Sequence, residues 1–313
     1  MNRKTALFIL LFATVATVQL SSCKKFEGSQ TVPAYIRIDT VGVSCDYTTY
    51  GANTHKIIDA WVYVDDNIVG CYELPTVFPV LKEGKHKVAI YPGIARDGIR
   101  NLRADYPFMA PWEDSIVFVK AEAVTLTPMF HYYPIGVDEN MHICPDLKED
   151  FEDGTIQFEA TSGSDASIEL VFDGPVMPNH PGDPSTYKCA KLVLNSEEQN
   201  FRIVTSAELK GLPTKGSACM LEMDYKCSDT CHVGLLYFKD YALTAESIVR
   251  LRPTGVSGQE PVEWNKIYIN IGPYLVDNET AEYFKIYFSS WDPRNSGTQY
   301  FYFDNLKLIY RDK

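Results

Sequence analysis

One stretch apart, nothing in this chain repeats with the period of a helix. Short apolar runs alternate with polar residues and end at clusters of Gly, Pro, Asp and Asn. That is the pattern of half-buried strands joined by turns. Residues 35–38 and 57–64 are of this kind. Asp65-Asp66-Asn67 is a turn cluster, and 68–72 resumes the alternation, which predicts a hairpin. A strand at 78–81, the turn Lys82-Glu83-Gly84 and an alternating strand at 86–91 follow. Residues 114–119 and 122–127 complete a first sheet unit near Phe130. Further strands are predicted at 167–172, 191–194, 201–205, 219–225, 233–238, 264–271, 284–289 and 300–310. The one helical signal, 243–251, is about two turns long and supports no α/β architecture. The 20 Tyr, 16 Phe and 4 Trp point the same way, because aromatic side chains suit a pleated surface. The expected fold class is all-β.

At 313 residues the chain is long for one sandwich and splits naturally into modules of roughly 100 to 160 residues. Residues 136–149, polar and proline-bearing, read as the connector. The expected organisation is a leader at 1–22, a tether at 23–31, a small β-sandwich at 32–135, the linker at 136–149, and a second β domain at 150–313. Net charge is −12, and loss of Arg3 and Lys4 with the leader takes it to −14. Such a chain lacks the basic footprint that nucleic acid requires. It also has no charge-based means of adhering to anionic lipid.

Attachment is instead written at the N-terminus. A basic start, an apolar stretch at 5–20, and Leu20-Ser21-Ser22-Cys23 resemble a bacterial lipoprotein signal. The resemblance implies cleavage before Cys23 and acylation of its thiol. Two or three acyl chains anchor stably at about 0.8 kcal/mol per buried CH₂. Lys24-Lys25-Phe26-Glu27 is similar to the export signal of Bacteroidota surface lipoproteins, with Phe26 where a second acid is expected. The expected location is the outer membrane, lipid-anchored and facing the cell surface.

Residues 60–94, with "VDDNIVG" and "LKEGKHKVAIYPG", resemble the PEGA-type surface module, which implies a small sandwich without catalysis. The end of the chain, "TQYFYFDNLKLIY", is similar to the closing strand of galactose-binding-like jelly rolls, the fold of many carbohydrate-binding modules. "VEWNKIYINI" resembles their penultimate strand and places Trp264 in the core. "ACMLEMDYKC" resembles a central one. The second domain is therefore expected to be a β jelly roll, with its first and last strands side by side.

Motifs for nucleophilic hydrolysis, zinc proteolysis, phosphate loops and dinucleotide binding are absent from the sequence, so no catalytic residue is assigned. Cys227-x₃-Cys231-His232 is wider than a zinc knuckle and has no second half. Those thiols read as small buried hydrophobes or one local disulfide. Two sites remain. Carboxylates at the positions of Glu152 and Asp304 often hold a structural calcium in such jelly rolls, an ion that takes six to eight oxygens. The alternative is that Asp304 caps a turn without metal. Trp291 is followed by Asp292 and Arg294, and a ring with polar neighbours is what a sugar needs. Tyr274, Tyr237 and Tyr241 are further aromatic candidates. Two functions stay open: a surface module that binds glycan, or a subunit packed on an outer-membrane β-barrel. Fold alone does not choose between them.

Overall fold

The structure, a computed structural model, describes residues 32–135, 141–195, 199–291 and 297–312. The leader, Cys23 and the tether lie outside these residues, as do Asp292 and Arg294. Strand follows strand throughout. The first unit contains β1 (Ala34–Ile38), β2 (Gly42–Val43), β3 (Asp59–Val64), β4 (Asn67–Glu73), β5 (Thr76–Val80), β6 (Gly84–Ala95), β7 (Arg103–Asp105), β8 (Met109–Ala110), β9 (Trp112–Phe118), β10 (Ala123–Leu126) and β11 (Met129–Tyr132). One turn of helix, α1 (Tyr47–Tyr50), is capped by the Asp46 carboxylate on the Thr49 amide. β3 pairs with β4 and β6, and β6 also pairs with β7 and β9. The smaller sheets β10-β1-β5 and β2-β11-β8 complete the unit. The β3–β4 hairpin turns on Asp65 and Asp66, both at positive φ (51° and 61°). That type I′ geometry matches the twist of the strands it joins.

The second unit contains β12 (Met141–Glu149), β13 (Phe158–Ala160), β14 (Glu169–Val171), β15 (Cys189–Leu194), β16 (Asn200–Thr205), β17 (Cys219–Cys227), β18 (Cys231–Lys239), β19 (Ala242–Leu251), β20 (Asn265–Asn270), β21 (Tyr283–Trp291) and β22 (Gln299–Arg311), with a short helix α2 (Gly272–Asp277). They form two antiparallel sheets. One runs β14-β15-β22-β17-β20, with β12 also on β22; the other runs β13-β16-β21-β18-β19. Alternate residues of both, among them Leu192, Phe201, Leu221, Val233, Ile286 and Phe301, fill the space between them. This is the sandwich of two inner faces that the alternation requires.

Three expectations need correction. Residues 243–251 are strand β19, not helix. The ladder with β18 runs from Cys231↔Leu251 to Lys239↔Ala242 with one irregularity. A two-turn helix forms few internal bonds, whereas the open edge of β18 offers a full ladder, and β-branched Thr244, Ile248 and Val249 suit it. The connector expected over 136–149 is, from Met141 onward, strand β12, antiparallel to β22 from Met141↔Arg311 to Glu149↔Leu306. Its mixed burial made it read as polar linker. Trp264 is half-buried on the outer side of its sheet and not in the sandwich core. Its indole N–H donates to the Asp173 carbonyl at 3.1 Å.

The two units share a buried surface. β17 reads Cys-Met-Leu-Glu-Met-Asp-Tyr-Lys-Cys, an alternation that predicts one wet face, yet all nine residues are buried. Three of its outward side chains, Met220, Glu222 and Asp224, are covered by the first unit. Met220, Tyr268 and Ile309 pack into one cluster with Ile94, Tyr106 and Phe108. Within that layer Glu222 accepts from the hydroxyls of Tyr106 and Tyr132, and Lys307 and Lys266 lie 3.4 and 3.6 Å away. Lys307 also donates to the Tyr50 carbonyl and the Tyr132 hydroxyl. Burial pushes the Glu222 carboxyl up, but the two ammoniums and the two tyrosine hydroxyls together outweigh it and hold it below its ordinary value.

Candidate functional site

Each sheet of the second unit has an outer face, and the two differ in what lies on them. The first unit covers one end of the β12-bearing sheet, and other segments cover its far end. Lys226 pairs with Asp173 at 2.5 Å, beneath the Trp264 ring. Lys191 pairs with Glu260 at 2.6 Å, and Glu260 also takes the Tyr302 hydroxyl. Tyr302 and Lys226 are buried as a result.

The outer face of the other sheet carries an open groove of about 600 Å³, with Thr161, Asn200, Arg202, His232, Ser289 and Trp291 in its lining. Strand register builds it. Asn200 lies opposite Trp291, and Arg202 opposite Ser289. Ser289 in turn faces His232, and His232 faces Arg250. The next row is Val204, Tyr287, Gly234 and Ser247. Val204, Leu236 and Tyr287 form a small buried cluster on this outer face. The Tyr287 ring lies against Gly234, where a Cβ would stand 2.5 Å from it. The Arg202 guanidinium sits over that ring, 5.4 Å from its centroid, a cation–π contact. Trp291 closes β21 with 70% of its surface exposed.

A larger cleft, about 730 Å³, runs between β19 and β20 beneath the segment after β6. Of the aromatic residues in its lining, Tyr225 and Tyr268 are buried and Trp264 is already engaged by Asp173 and Lys226. The groove at Trp291 is therefore the better candidate.

The residues proposed from sequence are not all brought together. Trp291 lines the groove. Tyr274 does not: it sits on α2, half-buried against the sandwich core. That helix leads into the start of β21, eight steps or about 26 Å from Trp291. Tyr237 packs toward the same core. Tyr241 is 94% exposed at the β18–β19 turn. Asp292 and Arg294 lie outside the described residues. Arg202, His232 and Asn200 were missed, since only the register of distant strands unites them with Trp291.

Glu152 and Asp304 flank the place where β12 runs beside β22. Asp304 is fully buried at a register shift between β17 and β22, beside Asn305 at φ 49°. Its Oδ1 accepts from the Asn305 amide at 2.6 Å; its Oδ2 is buried with no hydrogen-bond partner. Burial first, then Asp224, Asp150 and Glu152, raise its carboxyl well above the ordinary value. Glu152 accepts from the Lys188 amide at 2.8 Å. Among the described residues no three acidic, His or Cys side chains converge as a metal site. The seven cysteines described are free thiols, with Cys227 and Cys231 buried in the sandwich core.

No family model matches the sequence, and no curated protein matches it. Among solved structures the chain is similar to the family 22 carbohydrate-binding and GH10 modules of Clostridium thermocellum xylanase 10B. Identity there is 16% and the TM-score 0.35, over 53% of this chain and 28% of that one. It is also similar to a family 29 carbohydrate-binding module from Piromyces equi, at 12% identity and a TM-score of 0.33, over 55% of this chain and 91% of that one. A tandem of family 22 modules from Paenibacillus barcinonensis Xyn10C matches at 14% identity and a TM-score of 0.36, over 82% and 74%. The chain thus spans about a quarter of the first structure and most of the other two.

Proposed function

We propose that this protein is a non-catalytic glycan-binding lipoprotein whose ligand lies in the groove over β16, β21 and β18. Trp291 carries the reading. A mostly exposed indole on a groove wall offers a flat apolar face for the C–H side of a sugar ring. Asn200, Thr161 and Ser289 beside it supply donors and acceptors for hydroxyls. None of the described lining residues is Asp or Glu, so the carboxylate pair that glycoside hydrolysis uses is not among them.

The same proposal puts the chain on the outer membrane, facing the cell surface and held in the lipid bilayer by acylated Cys23. It also gives Asp304, with Glu152, a structural calcium ion. What supports calcium is the orphaned Oδ2, pressed by three other carboxyl groups, a repulsion that a cation relieves. Two carboxylates fall short of six to eight oxygens, so backbone carbonyls and water would supply the rest.

The test is calorimetric titration of the Cys23→Ala chain with a panel of oligosaccharides. Trp291→Ala should abolish binding and leave the melting curve unchanged, because that side chain is mostly solvent-exposed. Undiminished binding by the variant overturns the groove. A pull-down from detergent-solubilised envelopes that captures a β-barrel protein, together with no glycan binding, would favour the subunit reading instead.

A further inference from the structure

The one formal charge among the groove's described lining residues, that of Arg202, is opposite in sign to that of the chain. One cross-strand row on this face reads Arg202, Ser289, His232, Arg250. It crosses four strands, three spacings or about 14 Å; Arg202 and His232 line the groove, and Arg250 lies just beyond it, in the lining of the larger cleft. Neither arginine has an ion-pair partner among the described residues, and Arg250 lies directly opposite His232. A chain with 41 acids against 29 Lys and Arg had carboxylates to spare for them.

Three acids described near the row are engaged elsewhere. Asp165 takes the amides of Gln199 and Asn200 and the Asn200 side chain. Glu246 on β19 reaches toward Asn278 at 3.4 Å. Glu159 pairs with Lys285 at 3.2 Å. Meanwhile Arg202 is held in place by its contact with the buried Tyr287 ring. A guanidinium fixed in this way has less entropy to lose on binding an anion, and its fork matches carboxylate and sulfate oxygens in pairs.

We propose that the ligand is an acidic glycan, whose carboxylate or sulfate groups are received by the row of Arg202, His232 and Arg250 while a sugar ring stacks on Trp291. The inference rests on the glycan reading of the groove and specifies its ligand class.

Three probes test it by calorimetric titration of the Cys23→Ala chain: an oligogalacturonate, the same oligosaccharide with its carboxyl groups reduced, and a sulfated oligogalactan. An anionic probe should bind about tenfold more tightly than the reduced one, and its affinity should fall as salt is raised. The better of the two anionic probes identifies the group. Arg202→Gln and Arg250→Gln should each weaken the anionic probe about tenfold without changing the reduced one. Trp291→Ala should lose both. Equal, salt-independent affinity for reduced and acidic probes, still lost in Trp291→Ala, overturns the acidic ligand and leaves the groove standing. Binding of none of the three overturns the acidic ligand, and silence across the neutral panel as well overturns the groove.

Discussion

Asp304 concentrates the residue-scale chemistry. Its carboxyl is held above the ordinary value of 3.8 by burial and by Asp224, so the fold favours its protonated form. The stability this gives is complete below 3.8 and is lost as pH rises through the folded value. In EDTA, the melting temperature of the intact chain should therefore fall as pH is raised from about 4. Asp304→Asn should reduce that slope; it will not remove it, since burial also raises Asp224 and Glu149. Calcium acts in the opposite sense because it needs the ionised carboxylate. Added at neutral pH it should raise the melting temperature of the parent and not of Asp304→Asn, following RT ln(1 + [L]/Kd). Superimposable curves with calcium and with EDTA would discard the ion and leave Asp304 as a buried neutral acid. Gly234 is the second critical position. Gly234→Ala drives a methyl to 2.2 Å from the Glu246 carbonyl and 2.5 Å from the Tyr287 ring. Denaturant unfolding should show a loss of about 1–3 kcal/mol. Binding should weaken with it, because the ring that positions Arg202 must move.

The elements differ in how plainly the sequence announces them. Asp65 and Asp66 mark a two-residue turn because short acidic side chains tolerate positive φ, and the flanking alternation fixes the register. The β18–β19 turn is built alike, on Asp240 and Tyr241 at φ 53° and 60°, but a tyrosine is no turn signal. Without that cue residues 243–251 looked helical, and the partner that decides the matter, β18, is a tertiary fact. A bulky residue at positive φ is strained, and Tyr241 is almost wholly exposed, so Tyr241→Gly should stabilise the chain by about 1 kcal/mol in equilibrium unfolding. A loss would mean that the ring makes a contact this fold does not contain. β22 was legible throughout, with Phe301, Phe303, Leu306 and Leu308 turned inward. Local sequence could not show that its outward Lys307 is dry. The groove was half legible for a related reason. Trp291 stands out beside polar turn residues, whereas Arg202, His232 and Arg250 are neighbours only once four strands are in register.

At the scale of the whole molecule, the buried layer around Glu222 makes the two units depend on each other. The first unit completes its core with Met220, Tyr268 and Ile309 of the second, and further cross-unit bonds surround the charges. Thr54 donates to Asp224 at 2.6 Å, the Asn270 amide to Asp97 at 2.7 Å, and Arg311 to the Pro107 carbonyl at 2.8 Å. A chain of two separate beads would melt in two steps. Here calorimetry should give one transition, with calorimetric and van't Hoff enthalpies in agreement. Cleavage of the peptide between residues 135 and 141 should leave the halves associated until they denature. Lys307→Met sharpens the test. It removes the closer ammonium from Glu222 and the donor from the Tyr50 carbonyl, and leaving a buried charge short of its partner costs about 3–5 kcal/mol. The whole transition should shift downward. Adding Glu222→Gln should recover part of the loss, because the stranded charge is then gone. Two resolved transitions, with Lys307→Met moving only one, would show instead that the units fold independently and that the buried charges belong to the second unit alone.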